Sequence, residues 1–147
     1  MFITFEFRDT NRIFSSTKIQ NIHHNITMLH IAGIKNCDKI RATKKWMDSH
    51  DVEYEFIDVR DEPLTREELK ELEIKVGLDV LVNKRGRKWR DLGLADKDLS
   101  DDELFEQLLE HQVMIKRPVL IKDESVLVGY DEDSFEAFVA EEEPEEK

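Results

Sequence analysis

The feature that most constrains the fold of this chain is a strand–turn–helix–strand pattern between residues 28 and 58. Residues 29–33 alternate apolar and small side chains, as a buried strand does. A polar turn over 34–38 precedes apolar residues at helical spacing up to Ser49, and residues 52–58 alternate again. A parallel strand pair needs a crossover of about this length, and such crossovers are right-handed. The pattern therefore predicts a βαβ unit in an α/β domain.

The rest of the chain predicts a helical segment followed by a hairpin. Two capping boxes, Thr65 with Glu68 and Ser100 with Glu103, each mark the start of a helix. Two apolar runs within residues 118–129 predict two strands, and a short helix with one apolar face follows them. Periodicity thus predicts the order strand, helix, strand, an all-helical insertion, two strands and a helix, which is an α/β arrangement.

Two end segments differ from the patterned region, residues 28–140, which we interpret as one domain. Residues 1–27 mix Asn, Thr, Ser and Ile without a period of 2 or 3.6. We interpret them as a flexible N-terminal extension, or as upstream sequence from a mis-assigned start, in preference to an extra strand. Residues 141–147 are five glutamates interrupted by one proline and followed by Lys147, which predicts a solvated, disordered acidic tail.

Composition argues against several classes of function. The net charge is −12, with 34 acidic and 22 basic residues, so direct binding to nucleic acid is not expected. No apolar run approaches the roughly 18 residues that a membrane-spanning helix needs. A single cysteine without a visible secretory signal fits a reducing compartment, so we expect a cytoplasmic protein. His23 and His24 have no third ligand nearby, so no metal site is expected.

The single cysteine, Cys37, lies where the first predicted strand gives way to the first predicted helix. A helix N-terminus offers unpaired N–H groups and a partial positive charge, and both stabilise a thiolate. Lys35, Lys39 and Arg41 are close in sequence. Position alone leaves an inert buried cysteine open as the alternative, but a polar, basic turn favours a reactive thiol.

Three blocks of sequence around this turn and beyond it resemble one known family. Residues 33–40, Gly-Ile-Lys-Asn-Cys-Asp-Lys-Ile, are similar to the active-site loop of the arsenate reductase (ArsC)/Spx-like family, in particular its YffB-type branch. Residues 81–92 resemble the N-x-R-G-x-x-W-R motif of that branch, in which Trp89 is expected to anchor the loop by packing. Residues 115–118 resemble its K-R-P motif, and the similarity runs over residues 28–139.

The resemblance implies a fold and a set of site residues. The fold is thioredoxin-like, with an all-helical insertion between an N-terminal βαβ unit and a C-terminal ββα unit. Cys37 matches the nucleophile, and Arg117 matches an arginine that stabilises a thiolate or holds an oxyanion through its planar fork. Pro118 matches the cis proline of thioredoxin-like sites. We expect Arg85, Asn36 and Pro118 to contact the substrate, although a solvated loop remains the alternative interpretation for Arg85.

The resemblance also implies a function. Two departures from the family pattern limit which reactions and roles we expect. True arsenate reductases of the family carry a further arginine on the last hairpin, whereas residues 127–131 hold none. Spx regulators often use a Cys-x-x-Cys switch, whereas residues 37–40 hold one cysteine. We therefore expect little or no arsenate reduction. The leading hypothesis is a glutathione-dependent monothiol oxidoreductase with no bound cofactor, with glutathione or a protein thiol as its partner.

Two alternatives stay open. One is a Spx-like regulatory protein that binds RNA polymerase or another partner without turnover, since the missing second cysteine argues against a redox switch but not against binding. The other is a degenerate member of the family that has lost turnover.

Overall fold

A computed structural model describes residues 28–140, and the predictions for residues 1–27 and 141–147 lie outside this part of the chain. Within it, four short strands form one mixed sheet in the order β2-β1-β3-β4. Strand β1 pairs in parallel with β2 and antiparallel with β3, and β3 pairs antiparallel with β4. The strands are β1 (Leu29–Gly33), β2 (Tyr54–Asp58), β3 (Val119–Lys122) and β4 (Ser125–Val128).

Six α-helices in the described region connect and cover these strands. They are α1 (Asp38–Ser49), α2 (Arg66–Val76), α3 (Leu78–Leu81), α4 (Arg87–Asp91), α5 (Asp101–Glu110) and α6 (Glu132–Ala140). Two 3₁₀ turns, Leu94–Asp96 and Gln112–Met114, complete the segment between β2 and β3. No helix between residues 28 and 140 is both long and apolar enough to cross a membrane.

The sheet separates two apolar clusters because successive strand residues point to opposite faces. One cluster joins α1 and α6 to the sheet, and the aromatic rings of Trp46 and Phe135 meet edge to face with centroids 5.4 Å apart. The other cluster joins the helical insertion to the opposite face. Members of the first cluster are Leu29, Ile31, Ile40, Trp46, Met47, Leu120, Phe135 and Phe138. Members of the second include Ala32, Ile57, Leu69, Leu72, Leu81, Trp89, Leu108, Val119 and Ile121.

This architecture confirms the predicted fold class. A βαβ unit and a ββα unit share one sheet in the strand order of the thioredoxin-like plan, and helices α2 to α5 form the insertion between them. Both predicted capping boxes are present, with Thr65 accepting from the N–H of Glu68 and Ser100 from the N–H of Glu103, each bond 3.1 Å long. The apolar face of each capped helix is buried in the second cluster.

Two boundaries differ from the sequence pattern. The second strand begins at Tyr54 rather than at residue 52, because the N–H of Val52 donates to the carbonyl of Met47 and still belongs to the turn that ends α1. Helix α4 was not predicted. Its five residues are mostly charged and only Trp89 among them is buried, so the local sequence has little helical periodicity.

A buried glutamine near the end of the helical insertion is bonded to the segment that begins it. The Nε2 atom of Gln112 donates to the carbonyl of Leu64 (2.9 Å), and the N–H of Leu64 donates to Oε1 of Gln112 (2.8 Å). The two residues belong to segments far apart in sequence, and the side chain of Gln112 is buried. Buried backbone groups need partners, so this reciprocal pair fixes where the segment before α2 sits against the end of the insertion.

Replacement of this glutamine should therefore destabilise the protein. We expect Gln112→Leu to lower the free energy of unfolding by about 2 kcal/mol or more, since it leaves the N–H and C=O of Leu64 buried without partners. Gln107→Leu, at a half-buried position on α5, is the matched control and should change stability by less than about 1 kcal/mol. Urea unfolding followed by circular dichroism measures both. Equal effects of the two substitutions would contradict the role given to Gln112.

Candidate active site

Cys37 lies at the junction of β1 and α1. It is the N-cap residue of α1, with an extended backbone (φ −116°, ψ 131°), and its carbonyl accepts the first helical hydrogen bond from the N–H of Arg41 at 2.9 Å. The side chain is partly exposed and packs against the first apolar cluster. The sequence predicted this position, and it places the sulfur near the unpaired N–H groups of the first helical turn.

The surroundings of the thiol favour its ionised form. Burial of the side chain raises the pKa of Cys37, whereas nearby backbone N–H groups of Ile40 and Lys39 and the guanidinium of Arg117 lower it. The lowering contributions together outweigh the burial, so the pKa of the thiol lies below its ordinary value. Since the thiolate is the nucleophile, this arrangement raises the fraction of Cys37 that is ready to react.

Arg117 reaches the thiol because of the strand register. Ala32 of β1 pairs with Val119 of β3, so the residues before Val119 lie beside the end of β1 and the turn that follows it. The Arg117–Pro118 peptide bond is cis, as the resemblance implied. The Nη1 atom of Arg117 donates to the carbonyl of Val113 at 2.9 Å, which holds the guanidinium while it faces the sulfur.

An open cleft of about 490 Å³ lies in front of Cys37. Its walls come from the turn before α1, the residue after Val59, the segment from Asn83 to α4, and the segment before β3. The lining residues are Ile34, Lys35, Asn36, Cys37, Arg60, Asn83, Gly86, Arg87, Lys88, Trp89, Asp91, Val113, Met114 and Arg117. The volume is in the range of pockets that hold small molecules.

The segment that carries the second motif is fixed to the segment that carries Arg117. The N–H of Asn83 donates to the carbonyl of Met114 (2.8 Å), and the N–H of Lys116 donates to the carbonyl of Leu81 (2.7 Å). Between them, Val82 and Ile115 form an isolated antiparallel bridge. These contacts bring the two motifs to one wall of the cleft.

The predicted substrate-binding residues fall in different places. Asn36 lines the cleft with a left-handed backbone (φ 63°), a conformation that asparagine adopts more readily than most residues. Arg85 is exposed and is not among the residues that line the cleft; its N–H donates to Oδ1 of Asn83 and its carbonyl accepts from Arg90. Arg87 and Lys88 lie in the cleft instead. A substrate contact by Arg85 remains a prediction, as does one by Pro118, which also is not among the lining residues.

Trp89 is buried in the second apolar cluster, which agrees with the packing role predicted for it. Its ring holds α4 against the domain, so the charged neighbours on that short helix are presented at a fixed place in the cleft. Between residues 28 and 140 there is no group of three or more histidine, cysteine or acidic side chains that could hold a metal ion, and His23 and His24 lie outside this range.

Asp58, which the sequence pattern did not indicate, supports the turn that carries Cys37. It is the last residue of β2, pairs in register with Gly33, and is 8% exposed. Its carboxylate accepts from the N–H of Lys35 (3.1 Å) and from the N–H of Arg60 (2.9 Å), and so it orders the turn that leads to Cys37. The sequence carries no clear signal for this role, because the same strand also contains the exposed acidic residue Glu55.

Burial raises the pKa of Asp58, while the N–H groups of Arg60 and Lys35 and the positive charges of these two residues lower it. The lowering contributions win, so the pKa of this carboxyl lies below its ordinary value. The carboxylate is therefore charged at neutral pH. It accepts hydrogen bonds from the turn that follows β1 and from the segment that follows β2.

Comparison with protein families finds one match. The model of the ArsC family matches residues 32–138, which includes every site residue described above. An uncharacterized protein from Haemophilus influenzae is 36% identical over 114 residues, covering 77% of this chain and all of that protein. The uncharacterized protein YusI from Bacillus subtilis is 40% identical over 104 residues, covering 68% of this chain and 88% of that protein.

More distant relatives and solved structures show the same resemblance. The global transcriptional regulator Spx from Lactiplantibacillus plantarum is 26% identical over 106 residues, covering 71% of this chain and 80% of the regulator. The structure of the YFFB protein has a TM-score of 0.72 at 32% identity and covers 77% of this chain and 100% of that one. A possible arsenate reductase from Streptococcus mutans has a TM-score of 0.64 at 30% identity, covering 75% and 99%.

The role of Asp58 predicts a pH-dependent loss of stability. Asp58→Asn should lower the free energy of unfolding at about pH 7, since an amide has one acceptor oxygen and cannot serve both N–H groups as a carboxylate does. Because the folded-state pKa is lowered, the stability from this charge is present above the ordinary pKa of about 3.9 and is lost as the pH falls through the folded value. The difference in free energy of unfolding between wild type and Asp58→Asn should therefore shrink as the pH falls through that value.

Denaturant titrations of both proteins between about pH 7 and pH 2.5 measure this difference. Asp61→Asn is the matched control, because it removes the same charge from an exposed carboxylate that contacts the Nζ atom of Lys35 in the same turn. The control should have a small effect on stability. A penalty for Asp58→Asn that stayed constant down to the lowest pH would show that its charge does not hold this turn.

Proposed function

This chain belongs to the ArsC family, and on that premise we propose that it is a glutathione-dependent monothiol oxidoreductase. Cys37 is the nucleophile and Arg117 the group that stabilises its charge. The observation that carries the proposal is the contact between a partly exposed thiol at the start of α1 and the guanidinium of Arg117, both of which line one open cleft. Lowered pKa values of this kind cluster at functional sites.

The first step is attack of the Cys37 thiolate on a disulfide. A bond forms between its sulfur and one sulfur of the substrate, the substrate S–S bond breaks, and the electron pair leaves with the second sulfur as a thiolate. The positive charge of Arg117 stabilises the attacking thiolate. The departing thiolate takes a proton from solvent.

The second step needs a thiol from outside the chain. The sequence contains one cysteine, so no internal disulfide can resolve the mixed disulfide on Cys37. We assign this step to glutathione, whose thiolate attacks the substrate sulfur of the mixed disulfide. A disulfide between glutathione and that half of the substrate forms, the S–S bond to Cys37 breaks, and Cys37 leaves as a thiolate. No bound cofactor is required, since glutathione enters as a co-substrate, and a cytoplasm rich in reduced thiols is the compartment in which such a cycle would run.

Arsenate is a poor candidate as the substrate. An oxyanion needs several fixed donors, and the family resemblance places one of them on the last hairpin, where residues 127–131 carry no arginine. The similarity to a possible arsenate reductase therefore supports the shared thiol chemistry more than the shared substrate.

The alternative is a Spx-like regulator that binds RNA polymerase or another partner without turnover. The identity to a Spx regulator favours it, as do two exposed apolar side chains on the insertion, Ile74 (72% exposed) and Val80 (42% exposed). A binding role of this kind predicts that Cys37→Ser keeps full function, whereas the oxidoreductase predicts its loss. The cationic thiol site favours the oxidoreductase.

The reactivity of Cys37 tests the role of Arg117. We expect the rate of alkylation of Cys37 by iodoacetamide to rise with pH through a midpoint below the ordinary value of a free cysteine, about 8.5. Arg117→Ala should move that midpoint upward, because it removes a charge that lowers the pKa of the thiol. Stopped-flow or mass-spectrometric alkylation over pH 5 to 10 measures it.

Arg90→Ala is the matched control for that experiment. Arg90 is exposed on α4, its side chain bonds to the carbonyl of Arg85, and it does not line the cleft. Arg90→Ala changes the net charge by the same amount, but it should leave the pH midpoint of Cys37 alkylation at its wild-type value. If Arg117→Ala and Arg90→Ala gave the same midpoint as wild type, Arg117 would not stabilise the thiolate.

Turnover with glutathione tests the proposed reaction. After incubation with oxidised glutathione, intact-mass measurement should show one glutathione added to wild type and none to Cys37→Ser. Reduced glutathione should then remove the added glutathione. In a coupled assay with glutathione reductase, wild type should reduce a disulfide substrate, and Cys37→Ser should lower that rate to background. Arsenate supplied with glutathione should give little or no reduction. A Cys37 that stays unmodified at neutral pH would overturn the proposal.

A further inference from the structure

The cleft in front of Cys37 is cationic, although the chain as a whole has a net charge of −12. Among the described residues that line it, five side chains are cationic and one is acidic: Lys35, Arg60, Arg87, Lys88, Arg117 and Asp91. A cleft lined by one sign of charge concentrates ligands of the opposite sign. The charge at the site therefore differs in sign from the charge that the rest of the molecule presents.

Two of these cations already have partners. The Nζ atom of Lys35 lies 3.1 Å from a carboxylate oxygen of Asp61, and the pKa of Lys35 is raised by that hydrogen bond and charge. Arg117 donates to the carbonyl of Val113 and faces the thiol. Lys35 and Arg117 organise the site itself. The other three cations are available to a ligand, and one of them, Arg60, also lowers the pKa of Asp58 through its charge without forming an ion pair.

Arg60, Arg87 and Lys88 are those cations. In the part of the chain that the structure describes, the side chains of these three residues form no ion pair. Arg60 follows β2 by two residues, and its backbone N–H is fixed by the carboxylate of Asp58. Arg87 and Lys88 open α4, which Trp89 anchors in the core. The three charges therefore come from two separate elements on fixed backbone, with Cys37 in the same cleft.

We propose that Arg60, Arg87 and Lys88 determine the specificity of this site by binding carboxylates of the substrate, so that Cys37 reacts with small peptide disulfides that carry two or more carboxylates. The inference rests on the proposed function of Cys37 and adds the residues that select the substrate. A cleft of about 490 Å³ fits part of a small peptide rather than a protein surface.

The reaction is the thiol–disulfide exchange described above, and its substrate is an anionic disulfide. The Cys37 thiolate forms a bond to one sulfur of the anionic disulfide, the S–S bond breaks, and the second half leaves as a thiolate that solvent protonates. The three cations take no part in bond making. They raise the local concentration of the anion and hold its carboxylates in the cleft that contains Cys37.

Rates of mixed-disulfide formation with three probes test this specificity. Oxidised glutathione carries net negative charge, hydroxyethyl disulfide is neutral and cystamine is cationic. Each second-order rate constant is divided by that of 2-mercaptoethanol with the same probe, which removes the intrinsic reactivity of the disulfide. At low ionic strength we expect the normalised rate for oxidised glutathione to exceed those of the other two by about tenfold or more, and to fall with added salt.

A double variant and its control assign the effect to the cleft. Arg87→Gln with Lys88→Gln should lower the normalised rate for oxidised glutathione by about tenfold and leave that for hydroxyethyl disulfide unchanged, and Arg60→Gln should act in the same direction. Lys45→Gln with Lys97→Gln removes the same charge from exposed positions outside the cleft and should have little effect.

Three outcomes would overturn the inference. Equal normalised rates for the three probes would show that the site does not select disulfides by charge, and Cys37 would still be the nucleophile. An equal loss in the cleft variant and the control variant would assign the selection to net charge rather than to these residues. A Cys37 that reacted with none of the probes would instead overturn the proposed function, and the specificity with it.

Discussion

The contact on which the site depends is the one between the Cys37 thiol and the guanidinium of Arg117. These residues are far apart in sequence and meet because β3 lies antiparallel to β1, in the register that pairs Ala32 with Val119. A shift of that register by one residue would move Leu120 into the cluster that holds Val119 and Ile121, and those two into the other, and it would carry Arg117 away from the sulfur. The chemistry of the thiol is therefore a consequence of the pairing of the two halves of the fold.

The helical insertion has a second task besides covering one face of the sheet. Its middle, just before α4, is joined to the segment before β3 by the bridge between Val82 and Ile115, and its start is bonded to its end through Leu64 and Gln112. These ties place α4, with its cations, opposite the turn that carries Cys37. The insertion thus supplies the cleft walls around the partly exposed thiol at the junction of β1 and α1.

Local sequence was enough to predict the strands, the longer helices and the position of the thiol, but not helix α4. The alternation of β1, the capping boxes at Thr65 and Ser100, and the hairpin that begins after Pro118 depend on neighbouring residues, which a single sequence displays. The thioredoxin-like arrangement of those elements needed the family motifs as well, since periodicity gives the order of strands but not their pairing.

The missed features are those that tertiary contacts create. Asp58 acts through the backbone of Lys35 and Arg60, and no local pattern marks such bonds. The motif pointed to Arg85, but the turn made by Asn83 and the burial of Trp89 direct Arg87 and Lys88 into the cleft instead. Which of several neighbouring cations faces a site depends on the path of the backbone, and that path is set by packing.

The most direct test of the account is the ionisation of Cys37 in the folded protein. With cysteine labelled at its β-carbon, the single cysteine gives one ¹³C signal, and its chemical shift can be followed as a function of pH. The account predicts a midpoint below that of the same cysteine in the urea-unfolded chain, and a higher midpoint in folded Arg117→Ala. A folded midpoint at or above the unfolded one would contradict it.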